Sequence, residues 1–224
     1  VLAVATAAVR NARNGASFIK RVRAKTGIPM TVISGYAEAT LGFSGVIHTI
    51  DEKDFLLFDL GGASIEISLV KNKKRVKSIS IPIGAVTLTQ KFDSSDEISS
   101  SQRKEMEEFI SSQLHRISWL PKSGLPVIGI GGTVRNLAKM HQRKTGYPLP
   151  KLHNYRLPVK ELFKMIDFLF RTSAHERENI SGLSEERTDI IIAGSLVIEQ
   201  LLEMVNAEEL IISGCGLREG VFFR

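Results

Sequence analysis

Asp59 and Glu66 flank the turn Leu60-Gly61-Gly62-Ala63-Ser64-Ile65, between two apolar, β-rich runs. Carboxylates in that setting suit a metal ion and a phosphate group. If residues 54–60 and 64–70 pair as a hairpin turning at Gly62-Ala63, Asp59 falls opposite Glu66 with both side chains on one face. Opposed Cβ atoms in an antiparallel pair lie roughly 5 Å apart, close enough for like charges to repel. A divalent cation removes that repulsion. Mg²⁺ suits the pair because it takes a few carboxylate oxygens, keeps some waters and bridges to substrate phosphate. Gly61 and Gly62 let backbone amides approach an anion, and the Ser64 hydroxyl adds a donor. An ordinary glycine hairpin with one solvated carboxylate accounts for the same residues.

A second glycine cluster favours the chemical reading. Residues 125–130 (Leu-Pro-Val-Ile-Gly-Ile) read as a buried strand, followed by Gly131-Gly132-Thr133 and an amphipathic run over 134–140. A strand, a glycine turn and a helix start place unpaired amides and a helix dipole where a phosphate can sit. A tight βα connection would look alike, but two such loops beside one carboxylate pair point to phosphate.

The elements that must carry these loops follow from the apolar pattern. The spacing predicts a strand over 1–6, one helix over 7–25, a strand over 29–34 and a helix over 36–47. Three strands follow over 54–60, 64–70 and 75–83, the last two joined by the exposed turn Lys71-Asn72-Lys73-Lys74. Helices are expected over 85–92 and 99–117, on either side of a polar linker at 93–98, and from residue 134 onward. Residues 146–155 read as a loop, and 159–171 and 184–205 as amphipathic helices, with Ser184 as N-cap of the second. A short strand over 209–213 and a helix over 215–223 close the chain. Residues 54–224 thus read β-β-β-α-β-α-β-α with helical extras, and residues 1–47 repeat the later β-α-β-α order. The expectation is an α/β chain from a duplicated domain, with the first copy cut short.

Bulk properties narrow the classes. The 224 residues are 43% hydrophobic and 7% aromatic, with a formal net charge of +6, which fits a globular chain that attracts anions. Basic and aromatic residues are not interleaved as in a nucleic-acid surface, so no nucleic-acid partner is expected. Cys215 is the only cysteine, so the chain forms no internal disulfide and a cytoplasmic location is expected. The apolar stretch 190–198 is too short to span a bilayer, and no membrane partner is expected. The start lacks a charged leader region and a methionine, and it reads as truncated.

Taken in order, residues 5–12 (Ala-Thr-Ala-Ala-Val-Arg-Asn-Ala), Thr26-Gly27-Ile28, Ile33-Ser34-Gly35 with Glu38-Ala39, the 59–66 turn, residues 129–133 (Gly-Ile-Gly-Gly-Thr) and residues 216–220 (Gly-Leu-Arg-Glu-Gly) resemble the exopolyphosphatase and guanosine pentaphosphate phosphohydrolase (Ppx/GppA) family. The resemblance runs over nearly the whole chain. It implies an actin-like ATPase fold of ribonuclease-H-like domains, each a mixed sheet flanked by helices, with the site in the cleft between them. On it, residues 1–47 are the end of the first domain and 48–224 the second, and the first phosphate loop has no counterpart.

Residue by residue, the resemblance implies that Glu38 activates the attacking water. Asp59 and Glu66 would hold Mg²⁺. Gly61, Gly62 and Ser64 would form one phosphate loop, Gly131, Gly132 and Thr133 another, and Arg10 would contact phosphate. Tyr36-Ala37 and Thr40 depart from residues frequent in the family, and Ala63 replaces a third glycine. The expected function is Mg²⁺-dependent hydrolysis of terminal phosphoanhydride bonds of inorganic polyphosphate. The alternatives are the same chemistry on guanosine pentaphosphate, a non-hydrolytic alarmone-binding regulator, and an ATP-dependent sugar kinase or chaperone-like ATPase of the same fold. A homodimer is also admitted as a partner arrangement.

Overall fold

The structure is a computed structural model that describes residues 3–120, 124–148 and 151–223. Val1 and Leu2 of the first expected strand, and Leu149 and Pro150 of the expected loop, lie outside the described residues.

The front segment is a small β-α-β-α piece: β1 (Ala3–Ala5), α1 (Ala7–Arg10), α2 (Gly15–Thr26), β2 (Met30–Val32) and α3 (Gly35–Ile47). β1 and β2 pair in parallel, Ala3 with Met30 and Ala5 with Val32. The single helix expected over 7–25 is broken in two. Asn11 and Asn14 favour a turn, and Gly15 abuts the Val9 carbonyl at a spot with no room for a Cβ. Arg10 therefore ends a helix, a position where the dipole favours a cation, and does not begin one.

The main sheet has six strands in the order β5-β4-β3-β6-β8-β7. They are β3 (Phe55–Leu60), β4 (Ile65–Lys71), β5 (Lys74–Ile81), β6 (Val127–Gly131), β7 (Tyr155–Pro158) and β8 (Glu209–Ile212). β3, β6 and β8 run parallel to one another, while β4, β5 and β7 are antiparallel to their neighbours. β3 and β6 read as nearly unbroken apolar runs because both of their faces are covered. The β4–β5 turn holds Asn72 and Lys73 at positive φ (49° and 59°), as a two-residue hairpin requires.

Five helices cover one face: α4 (Ala85–Phe92), α5 (Ser100–Leu114), α6 (Gly132–Thr145), α7 (Val159–Leu169) and α9 (Ile191–Met204). They pack Leu88, Ile110, Leu137, Ile166 and Leu196 against Leu56, Phe58 and Ile67 of the sheet. α3 and α10 (Leu217–Phe222) lie over the opposite face, which carries Phe55, Leu57, Val70, Ile128 and Ile211. This is the mixed sheet flanked by helices that the family resemblance implies, built from the α/β order that the apolar pattern led us to expect.

Several boundaries differ from expectation. The expected helix over 184–205 is a 3-10 turn at Glu185–Arg187 followed by α9. Ser184 caps nothing. Its N–H and hydroxyl both donate to Asn136 Oδ1, at 2.7 and 3.0 Å, which holds the chain against α6 before the helix can start. β7 and the short α8 (Ala174–Glu178) were not expected. β7 buries Tyr155 and Leu157, exposes Arg156 and ends at Pro158, a residue tolerated on an edge strand. Among the described residues no helix is long and apolar enough to cross a membrane.

Candidate active site

The hairpin forms in the register read from the sequence: Asp59 stands opposite Glu66, between the pairs Phe58–Ile67 and Leu60–Ile65. Both side chains face the α3 side of the sheet, and the Asp59 carboxylate lies beneath Gly42, 3.8 Å from where a Cβ there would be. Asp59 also pairs in register with Ile130 of β6, which places it at the carboxyl ends of two parallel strands. Open α/β sheets present their ligand crevices there.

Burial and like charge set the electrostatics of the pair. Asp59 is pushed up to about 7, first by burial and then by the charges of Glu66 and Glu38, with Arg135 pulling the other way. Glu66 is also raised, mainly by burial, against hydrogen bonds that favour its charged form. Ser80 Oγ donates to Glu66 Oε1 at 2.6 Å, and Ser64 Oγ donates to the same oxygen at 2.8 Å. Two serines thus fix the Glu66 carboxylate from one side, and the Ser64 hydroxyl is committed to the acid.

α3 brings in the third acid. Ser34 caps it by accepting from the Ala37 N–H, and Glu38 sits buried in its first turn. Gly35 lets the start of α3 rest on Ser80, since a Cβ there would collide with the serine side chain. Arg10 Nη1 meets Glu38 Oε2 at 3.2 Å and donates to the Ile33 carbonyl at 2.7 Å, so Arg10 and Glu38 are tied together. Arg10, Glu38, Asp59 and Glu66 therefore converge.

The two glycine turns have different geometries. Gly61 and Gly62 keep negative φ, as does Ala63, and a Cβ at Gly62 would sit 3.2 Å from a Val86 methyl, a tight contact. The Gly61 N–H donates to the Ser64 carbonyl, and the Gly61 and Gly62 carbonyls accept from Ala85, Val86 and Thr87, the first amides of α4. In the second turn, Gly131 has φ +118°, open to glycine alone, and launches α6 earlier than the apolar pattern indicated. The start of α6 presents the amides of Gly132 and Thr133 without helical partners. The Thr133 hydroxyl is buried against Gly194 and finds no hydrogen-bond partner among the described residues.

Three residues join the cleft that the sequence did not single out. Ser80 holds Glu66. Arg135, in the first turn of α6, lines a cavity of about 160 Å³ with Asp59, Gly131, Gly214 and Arg218. A cation in a first turn opposes the helix dipole, and that was a readable signal of a task elsewhere. The guanidinium of Arg187 lies directly on Gly132, where any Cβ would strike it. Nothing in the linear sequence links these two positions.

The donor set suits Mg²⁺. Glu66 keeps Oε2 clear of the serine bonds, and Asp59 stands opposite. Among the described residues no third His, Cys, Asp or Glu completes a protein-only cage. Two carboxylates with room for water and phosphate oxygens match the habit of this ion.

Comparison with known proteins places the architecture. The model of the Ppx/GppA phosphatase family matches residues 1–224. A bifunctional 3-dehydroquinate synthase/phosphatase of Fusobacterium nucleatum is 30% identical over 95% of this chain, which spans 33% of that protein. Exopolyphosphatase 1 of Mycobacterium leprae is 29% identical over 100% of the chain, which spans 67% of it. Among solved structures, the PPX-GPPA enzyme of Aquifex aeolicus superposes with TM-score 0.85 at 30% identity, covering 100% of this chain and 74% of its own. An exopolyphosphatase from Cytophaga hutchinsonii gives TM-score 0.91 at 27% identity, covering 100% and 73%. The chain has the actin-like ATPase fold.

Proposed function

Because this chain belongs to the Ppx/GppA phosphatase family, we propose that it supplies the main part of a cleft that hydrolyses the terminal phosphoanhydride bond of inorganic polyphosphate and releases orthophosphate. The observation that carries the reading is the opposition of Asp59 and Glu66 at the end of the sheet, between two glycine turns and beside a third buried acid. The name of the Mycobacterium relative supports the choice of substrate.

In this reading the protein positions charge, which is most of what phosphoryl transfer asks of a catalyst. Bound Mg²⁺ would neutralise the transferring phosphoryl oxygens and orient them. Asp59 and Glu66 would hold it, with Ser64 and Ser80 keeping Glu66 aimed. The amides of Gly132 and Thr133, with those of Gly62 and Ala63, would receive the terminal phosphate, and Ser64 would reach it only by releasing Glu66. Arg10, Arg135 and Arg187 would offset the charge of the phosphates that follow. Glu38 would accept a hydrogen bond from the attacking water and set it in line with the leaving oxygen. Arg10 would keep Glu38 turned inward.

Residues 1–47 are proposed to come from the first of two lobes, and residues 48–224 to form the second. The lone thiol of Cys215 supports a cytoplasmic setting. The test is orthophosphate release by the full-length protein with Mg²⁺, on long-chain polyphosphate and on guanosine pentaphosphate. A larger specificity constant for polyphosphate supports the proposal. Preference for guanosine pentaphosphate moves the same chemistry to that substrate, and tight binding of either without phosphate release would replace the enzyme with a sensor.

A further inference from the structure

Arg177 is the largest side chain in the fully buried set, and it stands outside the cleft. Among the described residues it makes no ion pair. Its hydrogen bonds all go to backbone carbonyls drawn from three separate stretches of chain. Nη2 donates to Ser95 at 2.6 Å, Nη1 to Thr172 at 2.9 Å and to Asp96 at 3.5 Å, and Nε to Thr188 at 2.8 Å. A buried guanidinium bonded to carbonyls fixes backbone, because each acceptor belongs to the main chain and none can rotate away.

The last acceptor is informative. Thr188 directly follows Arg187, whose guanidinium rests on Gly132 in the second glycine turn. On the other side, Ser184 is tied to Asn136 of α6. The 3-10 turn Glu185–Arg187 is thus held at both ends, by Asn136 in front and Arg177 behind, and its one cation is placed on Gly132, the first residue of α6. No helix–sheet packing requires a charged side chain at 177. A buried apolar residue would fill the volume but would leave four carbonyls unpaired.

We infer that Arg177 is a positioning residue that acts through Arg187, clamping the Thr188 carbonyl so that the Arg187 guanidinium stays over the second glycine turn to meet phosphate. This deepens the proposed function and rests on it, so the experiment separates the two. In the full-length protein, kcat and KM for polyphosphate are measured for wild type, R187A, R177K, R177Q and the two double variants, with folded fraction followed by circular dichroism. Inorganic tripolyphosphate binding, followed by calorimetry, is the parallel readout that needs no turnover.

R187A is expected to lower kcat/KM about 30-fold, the scale of one charge-assisted contact to the transferring group. R177K keeps the charge but offers fewer, differently directed donors, and is expected to cost about tenfold in the presence of Arg187 and less than about twofold in its absence. That loss of additivity is the signature of action through Arg187. Equal losses in both backgrounds, in kcat/KM or in tripolyphosphate affinity, would make Arg177 a purely structural clip and overturn the inference. If wild type releases no phosphate, the functional reading fails by itself, and the binding cycle still decides whether Arg177 works through Arg187. R177Q supplies the same cycle should R177K fail to fold.

Discussion

Asp59 shows most directly what the cleft is built for. Its carboxyl is raised from 3.8 to about 7 by burial and by two neighbouring acids. The folded chain therefore holds a proton that the unfolded chain has already lost, and metal-free stability falls as pH rises from near 3.8 through 7. Asp59→Asn removes the penalty. At pH 8 without divalent metal it is expected to be more stable than wild type by roughly 1–3 kcal/mol in urea unfolding. Added Mg²⁺ should raise the melting temperature of the wild type and leave that of Asp59→Asn where it was. A metal-free Asp59→Asn variant less stable than wild type at pH 8 would contradict this picture of crowding.

Glu38 makes the complementary case. Its pair with Arg10 is largely buried, but a glutamine keeps an oxygen to accept the same Arg10 bond, so Glu38→Gln should melt within a few degrees of wild type. The same change should lower kcat for phosphate release by about 10²–10³-fold, because the amide cannot take up charge beside the attacking water. Near-normal turnover would remove Glu38 from its role.

At the scale of elements, the cleft depends on how closely α3 and α10 approach. Gly45 lies on the Gly216 carbonyl and Gly220 on the Leu41 carbonyl, with no room for a Cβ at either place. Gly45→Ala and Gly220→Ala should each destabilise by about 2–4 kcal/mol, read as a lower urea midpoint, since the clash is with backbone and cannot be relieved by a rotamer change. A midpoint within error of wild type would show that the helices can slide apart freely.

On the opposite face, Arg103 of α5 reaches Glu107, Asp167 of α7 and Glu199 of α9. Burial raises Glu199 from 4.5 to about 7 in spite of that arginine. Its charged form is a liability to the fold above neutral pH, and the protein loses stability as pH rises from 4.5 through 7. Glu199→Gln should be roughly 1 kcal/mol more stable than wild type at pH 8 and no more stable at about pH 4.5. A variant that loses stability at pH 8 would mean that the bond to Arg103 outweighs the desolvation.

Much of this was legible in the sequence where local rules decide. The period of two and the glycine turn were enough to place Asp59 opposite Glu66, and the apolar pattern placed the α3 helix over 36–47, within a residue of its observed start. Local rules failed where distant parts of the chain intervene. The helical pattern over 184–205 is broken by Asn136 holding Ser184 and Arg177 holding Thr188, and neither partner is near in sequence. Arg187 was unreadable as a cleft residue for the same reason. β7 was missed because four residues ending in proline give too short an alternation to separate from a loop.

For the molecule as a whole, the six-stranded sheet and the small β1–β2 piece meet through α3, whose first turn carries Glu38 and whose later turns cover Asp59. Within the front piece Arg10 fixes the start of α3, since it bonds both the chain before α3 and the glutamate within it. The formal net charge of +6 adds a long-range attraction for anions. Whether the two opposed carboxylates share a cation decides the chemistry of the cleft. The direct measurement is anomalous diffraction from crystals soaked in Mn²⁺, an oxygen-seeking substitute for Mg²⁺. A single anomalous peak within about 2.5 Å of carboxylate oxygens from both Asp59 and Glu66, abolished in Asp59→Asn, is the predicted result. A peak bound elsewhere, or a well-ordered pair with no metal at saturating Mn²⁺, would contradict it.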